Sequence, residues 1–204
     1  MLTIVDYKMI NLGSIINMLK KVGAKDVVVA RTSEEIARAS KIIMPGVGAF
    51  DQAMKRLKDQ NLVDILRIKA MDEKVPFLGI CLGMQLMAKS SEEGILPGLG
   101  FIDAEVKKFK FQSSEDLRIP HMGWNKAYIT KPTKIFDNLE TKRFYFVHSY
   151  YVACNDQLDA LISTDYGIKF TSGVERQNLI GMQFHPEKSH RYGMEVFKNF
   201  VEKY

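Results

Sequence analysis

Residues 75–86 read Val75-Pro76-Phe77-Leu78-Gly79-Ile80-Cys81-Leu82-Gly83-Met84-Gln85-Leu86, and this stretch decides the fold. Val75 to Ile80 form a short apolar run without alternation, the mark of a strand covered on both faces. The run passes straight into helix-forming residues through Gly79-Ile80-Cys81-Leu82-Gly83. A turn that tight forces its central residue into strained backbone torsions, so its neighbours must be small. The central side chain then projects from the carboxyl end of the sheet, where open α/β sheets hold their ligands. The helix N-terminus beside it favours negative charge on a thiol or a developing oxyanion. A buried structural cysteine between two packing glycines is the alternative reading of the same pentapeptide.

On the N-terminal side, residues 2–6, 27–30 and 41–44 are three more short apolar strands. Asn11 is placed to cap a helix whose Leu12, Ile15, Ile16, Leu19 and Val22 recur on one face. Ser33-Glu34-Glu35 opens a short helix, and 50–73 is predicted helical, in one or two pieces. Strands alternating with helices predict an α/β fold with a central, mostly parallel sheet and flanking helices. Beyond Gly100 the pattern changes. Residues 101–109, 123–130, 143–152, 158–164, 168–174 and 179–184 predict strands, so the second half is strand-rich with antiparallel pairing. A last helix starts at Ser189 and buries Tyr192, Val196, Phe197, Phe200 and Val201. No repeat or Pro/Ser-rich linker divides the chain, and one domain over 1–204 is expected.

The chain has 204 residues, 46% hydrophobic and 26% charged, which are globular values. A chain of this size buries roughly 70% of its unfolded surface, enough for one full core. No apolar run is long enough to span a bilayer, and MLTIVDYK lacks the basic start of an export signal. Net charge is +5, spread along the chain, with one cluster at Lys107, Lys108 and Lys110. No nucleic-acid motif accompanies it, so neither nucleic acid nor membrane is an expected partner. The cluster suits a solvated face, a phosphorylated small molecule or an acidic protein. Cys81 and Cys154 make no disulfide framework, and a cytoplasmic location is expected.

Two further segments carry chemistry. Gly181-Met182-Gln183-Phe184-His185-Pro186-Glu187 ends a predicted strand in a histidine with a carboxylate two residues on. In extended chain those side chains share a face, so Glu187 can fix the tautomer and orientation of a His185 that takes a proton from a thiol. Pro45-Gly46-Val47-Gly48 follows the third strand. Its backbone N–H groups, with that of Leu82, suit an oxyanion hole for acyl transfer; an ordinary strand-to-helix turn is the alternative.

GICLGMQ at 79–85 and FHPEKS at 184–189 resemble the class I, or triad, glutamine amidotransferases. The resemblance is closest to the glutaminase subunit of imidazole glycerol phosphate synthase. DYKMINLGSI (6–15), MPGVGAF (44–50), GICLGMQLMAKSSEEG (79–94), PGLGFI (97–102), IPHMGWN (119–125), RFYFVHSYY (143–151) and GMQFHPEKS (181–189) follow its motifs in order. The resemblance implies that Cys81 attacks the glutamine amide carbon, His185 shuttles the proton and Glu187 orients His185. Val47 or Gly48, with Leu82, donates to the oxyanion. Gly46, Gln85, Glu93, His148, Ser149 and Tyr150 line the glutamine pocket, with Glu93 the natural partner of an ammonium group. Lys8, Asn11, Met122, Trp124, Asn125 and Lys188 are expected at the interface with a (β/α)8-barrel cyclase. The implied reaction is hydrolysis of L-glutamine to glutamate and ammonia. The ammonia passes to that cyclase within a heterodimer that makes imidazole glycerol phosphate in histidine biosynthesis. No metal or organic cofactor is implied, and His185, Glu187, His190 and Cys81 match no metal-ligand spacing.

There are departures from the family pattern. Asp-Tyr-Gly-x-Gly-Asn is usual where this chain has Asp6-Tyr7-Lys8-Met9-Ile10-Asn11. NLGSIINMLKK and HPEKSHRYGM also resemble a paralogous group that supplies ammonia for amidation of a surface-polysaccharide sugar, which is an alternative acceptor. A non-catalytic subunit that kept the fold is an alternative of another class, opposed by intact Cys81, His185 and Glu187. A cysteine hydrolase that shares only the elbow is opposed by the position of His-Pro-Glu.

Overall fold

The computed structural model describes residues 1–9, 12–111 and 117–204; the expectations for Ile10 and Asn11 lie outside the described residues. Strands β1 (Leu2–Val5), β2 (Val27–Ala30), β3 (Lys41–Gly46) and β4 (Phe77–Cys81) alternate with helices α1 (Leu12–Lys21), α2 (Ser33–Ala37), α3 (Phe50–Asp59) and α4 (Val63–Arg67). The predicted helix 50–73 is therefore two pieces, and the second runs on into a π turn over Ile68–Asp72. α2 opens at Ser33, as expected, and Thr32 caps it. The Thr32 side chain accepts from the Glu35 N–H while Glu35 reaches back to the cap, a reciprocal box that satisfies two orphan donors. α5 (Leu82–Leu86) follows β4 without a break.

The second half holds β5 (Ser90–Ser91), β6 (Ala104–Lys108), β7 (His121–Ile129), β8 (Lys142–His148), β9 (Tyr150–Cys154), β10 (Ala160–Tyr166), β11 (Ile168–Arg176) and β12 (Leu179–Met182), then α6 (His190–Lys203). The expected strand 143–152 breaks at Ser149. β8 pairs with β7, whereas β9 turns away to β6 and β11, so one continuous ladder cannot serve both sets of neighbours. On α6, Val196, Phe197 and Phe200 are buried, and Tyr192 and Val201 sit at its margin.

The order β2-β1-β3-β4-β12 is parallel throughout, and β11, β10, β7 and β8 continue it antiparallel. Apolar layers cover both faces: Phe50, Leu57, Leu66 and Phe101 on one, Ile15, Leu19, Phe144, Phe184 and Phe197 on the other. Phe144 stacks on Phe184 with centroids 3.7 Å apart. The register sets Gly46 of β3 against Cys81 of β4, and Ile80 against Met182 of β12. The carboxyl ends of three strands thus lie side by side. The chain order reverses between β1 and β3, the crevice where such sheets bind ligands.

Candidate active site

Cys81 closes β4 with φ 54° and ψ −111°. Such torsions cost a residue with a Cβ about 1–3 kcal/mol and persist only where surrounding structure enforces them. Here it does: a Cβ on Gly83 would overlap the Met44 carbonyl, and one on Gly79 would press within 2.9 Å of the Gly83 carbonyl. Leu82 is the first residue of α5, where N–H groups have no intrahelical acceptor.

His185 is held from three sides. Its N–H donates to the Tyr145 carbonyl at 2.9 Å, and its carbonyl accepts from the Ser189 hydroxyl at 2.7 Å. Ser189 Oγ in turn accepts from the Tyr145 N–H at 3.0 Å. Pro186–Lys188 form a 3-10 turn, so Glu187 meets His185 through a turn and not through the extended chain expected from their spacing. His185 Nδ1 lies 2.7 Å from Glu187 Oε1. The carboxylate only accepts, which puts the proton on Nδ1 and turns Nε2 to the thiol. Among the described residues, His185 Nε2 and Glu187 Oε2 are buried without a hydrogen-bond partner. Burial alone would lower the His185 pKa; Cys81 and then Glu187 outweigh it and raise the pKa above the ordinary imidazole range.

A cavity of about 320 Å³ opens over Cys81, lined by Val47, Gly48, Leu82, Gln85, Glu93, Pro120, Val147, His148, Ser149, Tyr150 and His185. Ten of the twelve expected catalytic, oxyanion and substrate-binding residues line this one cavity; Gly46, paired with Cys81 across the strands, and Glu187, bonded to His185, adjoin it. Gln85 spends both amide hydrogens, on the Tyr150 carbonyl and on Gln183 Oε1, each at 3.0 Å, leaving its own oxygen to accept. Glu93 Oε2 accepts the Phe50 N–H at 2.9 Å and so caps α3, whose cap residue Ala49 has no side chain to do it. Burial raises the Glu93 pKa, against the Phe50 N–H, with Asp51 adding to the rise.

His148 Nδ1 lies 2.8 Å from the Tyr150 carbonyl and Nε2 lies 2.9 Å from His121 Nδ1. A carbonyl accepts only, so every proton in this chain is assigned: Asn125 donates to His121, His121 to His148, and His148 to Tyr150. Both imidazoles are neutral, pushed by burial down to about 3 for His148 and about 4 for His121. His148 is thereby a rigid, uncharged wall of the cavity.

Val47 and Gly48 flank the same opening, but the Val47 N–H donates to the Met9 carbonyl at 2.9 Å. Gly48 holds φ 100°, a conformation that favours glycine. Lys8, Met122, Trp124 and Lys188 are exposed, and the Trp124 ring stacks on His190 with centroids 5.5 Å apart. Asn125, next to Trp124 on β7, is half-buried, and its amide donates to His121 and to the Asp165 carbonyl. Sequence reading passed over Gln183. It is fully buried, and its Nε2 lies 3.8 Å from Cys81 Sγ. Its position two residues before His185, inside the predicted strand 179–184 that leads to that histidine, was the available signal.

The model of the class-I glutamine amidotransferase family matches residues 3–204. The imidazole glycerol phosphate synthase subunit HisH 2 of Methanococcus maripaludis is 52% identical over 100% of both chains. HisH 2 of Pseudomonas aeruginosa is 47% identical over 99% of each, and HisH of Bdellovibrio bacteriovorus is 47% identical over 99% of this chain and 100% of its own. Among solved structures, PurLQS from Thermotoga maritima superposes with a TM-score of 0.73 at 16% identity, covering 98% of this chain and 96% of that one. The glutaminase domain of Trypanosoma brucei CTPS with bound acivicin gives 0.64 at 15%, covering 98% and 90%. The strained Cys81 elbow, the His185–Glu187 pair behind it and this likeness over the full length agree: the chain belongs to the class I glutamine amidotransferases, in the family of HisH subunits of imidazole glycerol phosphate synthase.

Proposed function

We propose that this chain hydrolyses L-glutamine to glutamate and ammonia at Cys81 and delivers the ammonia to a barrel cyclase subunit bound at its Cys81 end. The observation that carries the reading is Cys81 on a strained elbow at the head of α5, facing a His185 whose other nitrogen is held by Glu187. His185 takes the thiol proton, and Sγ adds to the amide carbon of glutamine. The tetrahedral oxyanion collapses to a γ-glutamyl thioester as His185 returns the proton to the departing ammonia. Water, deprotonated by His185, then cleaves the thioester, releasing glutamate and restoring the thiol. Glu93, with one oxygen spent on Phe50, keeps the other for the substrate ammonium group, and the Gln85 oxygen is free to accept.

Free ammonia is protonated in neutral water, which makes a sheltered path into a partner necessary. Exposed Met122 and Trp124 on β7, with Lys8 and Lys188, supply the docking face of a heterodimer. A cytoplasmic setting accords with free Cys81 and Cys154. Among the described residues no helix is long and apolar enough to cross a membrane.

The test is glutamine-dependent and ammonium-dependent synthesis by the assembled pair. Cys81→Ala should abolish the first and leave the second. Equal loss of both with the complex intact would contradict the division of labour. The likeness of NLGSIINMLKK and HPEKSHRYGM to the paralogous group favours a second reading, in which the acceptor is a sugar; synthesis supported only by a sugar-amidating partner would establish it.

A further inference from the structure

Tyr7 follows β1 and is fully buried, yet its hydroxyl has no hydrogen-bond partner among the described residues. A buried hydroxyl without a partner costs about 1–3 kcal/mol, whereas phenylalanine would fill the same space without that cost. The hydroxyl is pressed against Gly46: a Cβ there would overlap it, and would also lie 3.1 Å from Leu82 Cβ and 3.2 Å from the Gly83 nitrogen. Burial first, and the nearby Cys81 second, raise the Tyr7 pKa, so the phenol keeps its proton and remains a donor.

The Gly46–Val47 peptide is the one whose orientation matters. Its N–H points to the Met9 carbonyl, on the β1 side of β3. In a trans peptide the carbonyl points the opposite way, toward β4 and Cys81. An oxyanion on the Cys81 side would therefore face the Gly46 carbonyl and be repelled. Rotating the peptide aims the Val47 N–H at the oxyanion and swings the Gly46 carbonyl to the β1 side, toward the Met9 carbonyl it has just displaced. Two carbonyls would then face each other in a buried place unless a donor intervenes.

We propose that the Tyr7 hydroxyl is that donor: it receives the Gly46 carbonyl in the rotated state and makes Tyr7 a positioning residue of the oxyanion hole. The orphaned hydroxyl is a bond held in reserve for the working conformation. It touches neither substrate nor thiol and acts through the peptide that does. The inference rests on the glutaminase reading above.

The test is Tyr7→Phe in the assembled pair, read in three ways: kcat and KM for glutamine, the rate of Cys81 alkylation by iodoacetamide, and thermal stability. Displacement at iodoacetamide forms no oxyanion, so it reports thiol reactivity alone, with Cys81→Ala as the blank for Cys154. The expected result is a kcat about tenfold lower, the size of one buried hydrogen bond. KM and the alkylation rate should stay within twofold, and stability should be equal or higher. An unchanged kcat would show the hydroxyl to be idle and overturn the proposal. Parallel falls in kcat and alkylation would assign the hydroxyl to the sulfur, which also overturns it. A wild-type pair that alkylates at Cys81 but never hydrolyses glutamine would instead sink the glutaminase reading itself.

Discussion

The Val47 N–H donates to the Met9 carbonyl at 2.9 Å, across the crevice between β1 and β3. In the proposed reading, that bond holds the oxyanion donor on the side of its strand away from Cys81. Glycines on both sides of Val47 make the flanking peptides cheap to rotate, so the arrangement is a two-position device. One missing oxyanion donor costs about 10²- to 10³-fold in rate.

The isolated chain is accordingly expected to be a slow glutaminase. Its cyclase partner, with acceptor bound, should raise kcat by about that factor, since coupling requires only a differential affinity for the two peptide orientations. Glutaminase turnover of the chain alone, with partner, and with partner plus acceptor gives the answer. Full speed from the chain alone would mean that the Met9 bond imposes no barrier.

Glu187→Gln tests the orienting carboxylate. Loss of its charge should lower kcat by about 10²- to 10⁴-fold and leave KM for glutamine within several-fold. The pH profile carries a sign. Burial favours neutral His185, while Cys81 and Glu187 favour the imidazolium and prevail. Removing Glu187 lowers the pKa, so the alkaline limb, where His185 loses the proton it must give to ammonia, should move to lower pH. A limb that stays in place would remove Glu187 from that role.

Glu93→Gln addresses the substrate ammonium group. The raised pKa means that the carboxylate gains a proton at higher pH than an ordinary glutamate, so KM in the wild type should rise as pH falls toward the acid range. The variant should have a KM at least tenfold higher at neutral pH and should lack that acid-side rise. The Gln side chain still accepts the Phe50 N–H, so α3 keeps its cap. A wild-type KM in the variant would place the ammonium group elsewhere.

Lys8 sits at φ 65°, an uncommon value outside glycine, tied by its N–H to Asp6 Oδ1 at 2.9 Å and by its carbonyl to Arg56 Nη1 at 3.1 Å. Asp6 is itself anchored by Arg31 at 2.7 Å. Left-handed torsions cost about 1 kcal/mol for a side-chain residue, so Lys8→Gly should leave stability within about 1 kcal/mol or improve it. Partner affinity should change by more than tenfold if, as proposed, the exposed ammonium belongs to the docking face. Calorimetric binding and thermal unfolding on the same variant separate the two; normal binding by an unstable variant would make the loop purely structural.

Much of this molecule was determined by sequence alone. The apolar run 75–80, the glycines at 79 and 83 and the His185-Pro186-Glu187 segment pointed to a parallel strand, a sharp elbow and a histidine oriented by a carboxylate, because strand period, steric room and tautomer control are local properties. Other features waited on the tertiary structure. Ser149 had to break a ladder because its two sides have different neighbours. Asn125, half-buried on β7, meets His121 Nε2, four residues away, and the Asp165 carbonyl, which strand pairing brings into reach. Glu93 became a helix cap because Ala49 could not be one. Gln183 and Tyr7, lying inside motifs, took their meaning only from Cys81 and Gly46, residues of other strands. Periodicity tells which face a side chain occupies; which distant donor or carbonyl it meets there depends on register and strand order, and in this fold those were decided by packing across the whole sheet.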